Sequence, residues 1–314
     1  MKQIFAFSLT LLAIQLNYAQ EITTNDYRER ISLNDLNLKG SVEKVTSTAY
    51  DNAGNTTTLP FLENEYYNQV SLTFNKKGTV VKRTNYLDYK GKLGIYNYIE
   101  FSYDNSNNLI EQKSTVINNN EDPLRVASLK EYQYNNAGNI STIKEIVKTK
   151  NSTINYATHF SYSNQLDEIK NEVSNTLSSK NILTYNKAGN LIKNESVSFD
   201  HKKGMTRYYI YDKNMPIYAE EVVDNAKQIT YYDIESGTSK IQHYDQKQNL
   251  KLELVFNNQR NVTAAKVQSF QNGKSILKEY QLTYKLDAVG NWIRCDVTNN
   301  GDTKYTIKRE IIYY

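Results

Sequence analysis

The sequence predicts an all-β protein with a repeat architecture, in which stacked antiparallel β-hairpins form one elongated or curled sheet. Three observations carry that prediction. A cadence of an aromatic, an Asp or Asn, two loose positions and Gly-Asn returns along the chain. Tyrosine dominates the large side chains, with 27 Tyr against 9 Phe and a single Trp. Only 3 prolines occur, and no long run of strong helix formers appears. Tyr, Thr, Val and Ile suit a pleated surface with one wet side, since they combine apolar bodies with polar tips. A mean hydropathy of −0.68 adds that few strands are buried on both faces.

Taken in order, residues 1–19 read as a secretory signal peptide. Lys2 gives the positive start, Ile4–Leu16 the apolar run, and Ala19 the cleavage point. The run is shorter than the roughly 20 apolar residues of a transmembrane helix. Residues 20–40 form a lead-in, a short helix or extended segment closed by Gly40. Residues 41–314 form the repeat domain, with atypical first and last units as caps. Two connections stand out, 55–69 with Pro60 and 118–124 with Pro123. At about 295 mature residues the chain is long enough to bury a core without disulfides. It could form none within itself, because Cys295 is the only cysteine.

The cadence has a physical reading. It occurs as "AYDNAGN" (49–55), "TFNKKGT" (73–79), "SYDNSNN" (102–108), "QYNNAGN" (133–139), "TYNKAGN" (184–190) and "KLDAVGN" (285–291). The Asp or Asn side chain accepts bonds from backbone amides just ahead and starts a type I turn. Gly then takes the left-handed conformation that closes a bulged hairpin. Asn107 stands at the Gly position of one copy, as its tolerance of positive φ allows. Gln248 and Arg260 fit that position less well and predict hairpins that close differently. Pro216 predicts an edge strand or an irregular turn. Spacings of 29, 31, 28 and 23 residues between successive aromatics, from Phe74 to Tyr185, signal a repeat with variable loops. Each hairpin alone is marginal, so neighbours must stack to bury the tyrosine face.

The charges exclude several functions. The 38 basic and 34 acidic residues leave +4, interspersed along the chain, which describes a solvated surface and not a nucleic-acid footprint. The three histidines, His159, His201 and His243, lack metal-ligand spacing, and no cofactor motif occurs. Asp51, Asp104, Asp212, Asp245 and Asp287 could be imagined as a glycosidase pair or a calcium ladder. Each stands first in its turn, where a local capping task explains it. Trp292 is the ligand-binding candidate, because an aromatic face stacks on a sugar ring; the alternative is a side chain packed over the last hairpin. Tyr66–Tyr67, Tyr208–Tyr209 and Tyr231–Tyr232 each place one ring on either face of a strand, so that one row could form a contact surface. The ending "YTIKREIIYY" alternates loosely, but strands such as "NLIKNESVSF" cannot supply the apolar band of a membrane barrel, so an integral membrane protein is not expected.

The [YF]-[DN]-x-x-G-N-[LI] cadence resembles the YD repeat of the Rhs family. With its ending, "YKLDAVGNWIR…TIKREIIYY", the chain resembles small exported YD-repeat proteins of Bacteroidetes, some of which are labelled sugar-binding by similarity. The resemblance covers about residues 41–314, most clearly at Gly54, Gly138, Gly189 and Gly290. It implies a non-catalytic binding module of the cell envelope or surface, with a glycan as ligand. The location would be the periplasm, the outer-membrane surface or the medium. A second reading is a scaffold that meets another envelope protein through tyrosines or bare strand edges. A glycoside hydrolase ranks third, because no catalytic constellation is visible.

Overall fold

The structure is a computed structural model. It describes residues 32–314 apart from 60, 62–68, 90–91, 117–124, 150, 199–203, 213–214, 224–225, 234–238, 246, 248, 258, 260 and 272–273. The expected signal peptide lies outside the described residues. The strands in chain order begin with β1 (Val42–Asp51), β2 (Val70–Phe74), β3 (Val80–Tyr89), β4 (Lys92–Tyr103) and β5 (Leu109–Val116). Next come β6 (Arg125–Tyr134), β7 (Ile140–Lys148), β8 (Thr153–Tyr162), β9 (Leu166–Val173) and β10 (Thr176–Tyr185). They continue as β11 (Leu191–Ser198), β12 (Gly204–Asp212), β13 (Met215–Val223), β14 (Ala226–Asp233) and β15 (Ser239–Tyr244). The last are β16 (Leu250–Phe256), β17 (Val262–Gln271), β18 (Lys274–Leu286), β19 (Trp292–Asn299) and β20 (Asp302–Tyr313). All belong to one 20-stranded sheet, so the molecule is all-β and built of stacked antiparallel hairpins, as the repeat predicts.

Two compact units divide the described chain. A terminal unit comprises Arg30–Tyr132, Glu145–Ile154 and Leu252–Tyr314, and a central unit comprises Gln133–Lys144 and Asn155–Lys251. In the terminal unit the antiparallel order runs β16-β17-β18-β19-β20-β1-β2-β3-β4-β5-β6. The first and last strands lie side by side, Val45 opposite Ile311 and Asp51 opposite Tyr305. Since β1 also pairs β2, and β20 also pairs β19, neither β1 nor β20 is an edge strand. In the central unit the order is β8-β9-β10-β11-β12-β13-β14-β15.

The turns repeat one hydrogen-bond frame. At Asp51 the carboxylate Oδ1 accepts the amides of Ala53 (2.9 Å) and Asn55 (2.8 Å). The backbone closes with Gly54 N–H to Asp51 C=O and Asp51 N–H to Asn55 C=O. Asn75, Asn135, Asn186 and Asn257 hold their turns in the same way. The Asn that ends the cadence also has a use: in three of the Asp copies its amide donates to the second carboxylate oxygen, from Asn55, Asn108 and Asn249. Gly54, Gly138, Gly189 and Gly290 all have positive φ, as does Asn107 at 62°. At 245–249 and 257–261 the outer bonds of the frame are present, at 3.0 Å from Asp245 N–H to Asn249 C=O and from Asn257 N–H to Asn261 C=O, while Gln248 and Arg260, the residues expected to change the closure, lie outside the described residues. Pro216 faces Tyr211 on β12 where the register slips, and the described pairing of β13 with β14 begins only at Tyr218, so the proline stands outside that second ladder. The turn before it, 213–214, lies outside the described residues.

A bulge follows six of the turns. Tyr185 pairs Leu191 while Thr184 pairs Lys193, which skips Ile192. The same one-residue skip occurs after Val80, Leu109, Leu166, Val262 and Trp292. Inward side chains therefore come three apart at the strand start, as at Leu109 and Gln112 or Leu166 and Ile169. At this interruption the repeat tyrosine fastens one hairpin to the one before. Its hydroxyl donates to a main-chain carbonyl: Tyr103 to Val80 (2.7 Å), Tyr162 to Ile140 (2.8 Å), Tyr185 to Leu166 (2.8 Å) and Tyr284 to Val262 (2.6 Å). Each acceptor is the first residue of a strand that follows an earlier turn.

The terminal unit has a core of Ala49, Leu59, Phe61, Val262, Ala265, Tyr280, Leu282, Trp292, Cys295, Val297 and Ile307. Leu59 and Phe61 come from the long β1–β2 connection, with Phe61 stacked on Tyr280 at 4.7 Å. Burying two such side chains is worth about 1.5–3 kcal/mol each, which explains why that connection folds onto the sheet. The lead-in forms a strap. Leu33 N–H donates to Gly78 C=O (2.9 Å), Asn37 to Gln259 C=O (2.9 Å), and Lys39 N–H to Asn291 Oδ1 (2.7 Å). It thus ties three turns together before Gly40, at φ +78°, sends the chain into β1.

Candidate functional site

The bulge decides which side chains share a face. With strict alternation Leu191 would side with Lys193 and Glu195. The skipped residue instead places Leu191 with Asn194 and Ser196. Across the central unit this collects a band of polar side chains on the face that also carries buried Phe160, Ile169, Leu183, Tyr209 and Ala219. Register makes the band continuous. Thr158 faces Asn171, Asn171 faces Ser179, Asn181 faces Ser196, Asn194 faces Arg207, and Arg207 faces Glu221.

The band is hydrogen-bonded in three groups. Thr158 Oγ1 donates to Asn171 Oδ1 (2.9 Å), and Asn171 Nδ2 donates to Ser179 Oγ (2.9 Å). Asn181 Nδ2 donates to Asn194 Oδ1 (3.3 Å), and Ser196 Oγ donates to Asn181 Oδ1 (3.3 Å). Arg207 Nε donates to Glu221 Oε2 at 2.9 Å, and Nη2 reaches the same oxygen. Burial works against the charge of Arg207, but Tyr209 and Glu221 outweigh it and raise its pKa. Asn194 is 2% exposed, whereas Thr158, Asn171, Ser179, Asn181, Ser196, Arg207 and Glu221 keep part of their surface open. Half-buried Tyr156, two residues before Thr158, adds an aromatic ring to the same face.

Chemically the band offers carboxamides, each with a donor and an acceptor side, hydroxyls that do both, a guanidinium fork and a carboxylate. These groups are held by one another on strands, so little order is lost on engaging a ligand. The other face of the same strands is a salt-bridged surface. Glu168 meets Lys170 (2.7 Å) and Lys180, Lys193 meets Glu195 (2.8 Å), and His159 lies 3.7 Å from Glu172. Tyr208 lies on that outer face, 43% exposed under Lys193, while Tyr209 is buried, so this Tyr pair splits between the faces as expected.

Trp292 belongs to the terminal unit and is 5% exposed. The Arg309 guanidinium carbon lies 3.5 Å from its ring centroid, and Tyr284 meets it edge-on at 5.6 Å. These are the surroundings of a core side chain. Burial also pushes the neighbouring Cys295 thiol up to about 12. Among the five aspartates, Asp51, Asp104, Asp245 and Asp287 are engaged by their turns. His243 lies half-buried on β15, and His201, Tyr66 and Tyr67 lie outside the described residues, as do the side chains of Tyr231 and Tyr232. Among the described residues no cluster of His, Cys, Asp and Glu could hold a metal. Nor is any helix there long and apolar enough to cross a membrane.

The sequence reading missed the polar band, although a signal for it exists. After each turn an apolar residue is followed three positions later by a second inward residue, as in Leu109-x-x-Gln112, Leu191-x-x-Asn194 and Trp292-x-x-Cys295. A spacing of three inside a strand betrays the bulge and reassigns the faces.

No protein-family model matches the chain, and no curated protein matches it significantly. Among solved structures, a porin-like protein from Bacteroides uniformis is similar at a TM-score of 0.33 and 13% identity, covering 69% of this chain and 96% of that one. A porin-like protein from Bacteroides vulgatus gives 0.26 and 13%, covering 74% and 98%. The TcdB2-TccC3-TEV structure gives 0.28 and 8%, covering 82% of this chain and 21% of that one. At such scores these likenesses carry no argument about the present chain.

Proposed function

We propose that the chain is a non-catalytic binding module of the cell envelope or surface, and that its ligand is a carbohydrate held on the polar band of the central unit. The observation that carries the reading is the run of Asn171, Asn181, Asn194, Arg207 and Glu221 on one face of adjacent strands. A polyol presents hydroxyls that donate and accept in close succession, and the band answers with both kinds of group. Binding is favoured over hydrolysis because a glycosidase needs two carboxylates across a cleft. Of the band side chains named, Glu221 is the one carboxylate, and Arg207 engages it. Export and envelope location rest on the composition of residues 1–19.

The test is binding of the mature chain to a broad array of glycans and cell-wall polysaccharides, at low and high salt. The variants are Asn181→Ala with Asn194→Ala, and Trp292→Ala. The reading expects salt-resistant binding to a defined glycan that the double Asn variant abolishes. Silence across the array, or binding that vanishes with salt as nonspecific attraction to a mildly basic surface does, would overturn it.

A further inference from the structure

The β3–β4 hairpin of the terminal unit carries a second surface, independent of the polar band. Among the described residues, the ladder beside β3 ends where Tyr86 N–H meets Gln69 C=O (2.9 Å), and β5 pairs β4 only as far as Val116–Asn97. Among the described residues β3 and β4 then continue as a ribbon of two strands, Tyr86 opposite Ile95, Leu87 opposite Gly94 and Asp88 opposite Leu93. The skip at Tyr96 sets the ribbon off from the sheet. Large apolar side chains on it stand open: Leu87 is 58% exposed, Tyr96 50% and Ile95 43%, with Leu93 also exposed.

The faces of the ribbon tell what kind of partner fits. Leu87 points to one face, while Ile95 and Leu93, opposite Tyr86 and Asp88, point to the other. A folded protein docking on a sheet covers one face and leaves the second wet. A medium that surrounds the ribbon relieves both at once. The sequence at the tip, "YLDYKGKLGIY" (86–96), adds tyrosines and Lys90 and Lys92 against a single Asp88. Tyrosine favours the boundary between headgroups and acyl chains, and lysines beside an apolar tip favour anionic headgroups. We infer that the β3–β4 hairpin dips into an anionic lipid surface, Leu87, Leu93 and Ile95 entering the headgroup–acyl boundary from both faces of the ribbon, with the lysines of its sequence, Lys90 and Lys92, supplying charge of the sign that anionic headgroups attract. The chain would then lie on a membrane by one hairpin, without spanning it.

The test is flotation of the mature chain with vesicles of phosphatidylcholine alone and of phosphatidylcholine mixed with phosphatidylglycerol. The expected result is binding to the anionic vesicles, weakened by salt and by Lys90→Gln with Lys92→Gln. Leu87→Ser with Ile95→Ser should weaken it at least about tenfold, with the urea midpoint unchanged because those side chains are exposed. Absence of vesicle binding, or binding that the Leu87/Ile95 variant leaves intact, would overturn the inference. So would self-association that the same variant abolishes, since the ribbon would then be a contact between copies.

Discussion

Replacing Tyr185 with Phe isolates the bond that fastens one hairpin to the next. The ring stays and keeps its apolar contacts. What goes is the hydroxyl that donates to the Leu166 carbonyl at 2.8 Å. That carbonyl sits where the bulge interrupts ladder pairing, on a buried residue, so it loses a partner that water replaces poorly. A net hydrogen bond is worth about 1 kcal/mol, and an acceptor left unsatisfied about 1–3 kcal/mol, so the variant should lose about 1–2 kcal/mol. Urea unfolding should show this as a lower midpoint at unchanged slope. Tyr208→Phe is the control, an exposed hydroxyl whose loss should stay within about 0.5 kcal/mol. Burial also pushes the Tyr185 hydroxyl from 10.0 up to about 12. A pKa raised in the folded state gives stability that is whole below pH 10 and lost as pH climbs toward 12. Wild-type protein should therefore weaken over that interval more steeply than Tyr185→Phe. If Tyr185→Phe and Tyr208→Phe unfold alike, the tyrosine does not fasten the repeat and the reasoning fails.

Other predictions follow from the turns. No atom lies within 4 Å of a Cβ placed on Gly138, so Gly138→Ala costs only backbone strain at φ +78°, about 1–2 kcal/mol, and Gly138→Asn costs less because Asn107 already occupies that conformation; urea midpoints rank them. Asp245 is held from 3.8 down to about 2, first by the Asn249 amide, and Asp51 and Asp104 are lowered by Asn55 and Asn108. Depressed carboxylates give stability that is present above their unfolded value and lost as pH falls through the folded one. An acid titration by circular dichroism should therefore show loss between about pH 4 and 2, and Asn at all three positions should blunt it. Asn291→Ala removes bonds to Lys39 N–H, Lys39 C=O and Tyr313, and should cost about 2–3 kcal/mol and speed tryptic cleavage after Lys39.

Turn chemistry is the part of the fold that was legible in the sequence, because it is local. An Asp, a Gly and five residues of chain contain nearly all of the physics at 51–55. The fastening of hairpins was not legible, since the partner of Tyr185 is a carbonyl nineteen residues earlier, at Leu166. Leu59 and Phe61 fall in the connection 55–69, and only the tertiary fold shows them in the core. The polar band was hidden for a further reason. "NLIKNESVSF" reads as a wet strand under strict alternation, and one bulged residue at Ile192 moves Asn194 and Ser196 to the other face while leaving Lys193 and Glu195 in water. A one-residue slip has that effect wherever side chains alternate. Trp292 drew notice as an aromatic face for a sugar ring, and the structure sets it beneath Arg309 in the terminal unit.

The most direct measurement is hydrogen–deuterium exchange of the mature chain, alone and saturated with the best glycan from the array. The account predicts slowed exchange confined to β8–β13 around Asn171, Asn181, Asn194 and Arg207. Protection centred instead on β18–β20 and Trp292, with β8–β13 unchanged, would contradict it.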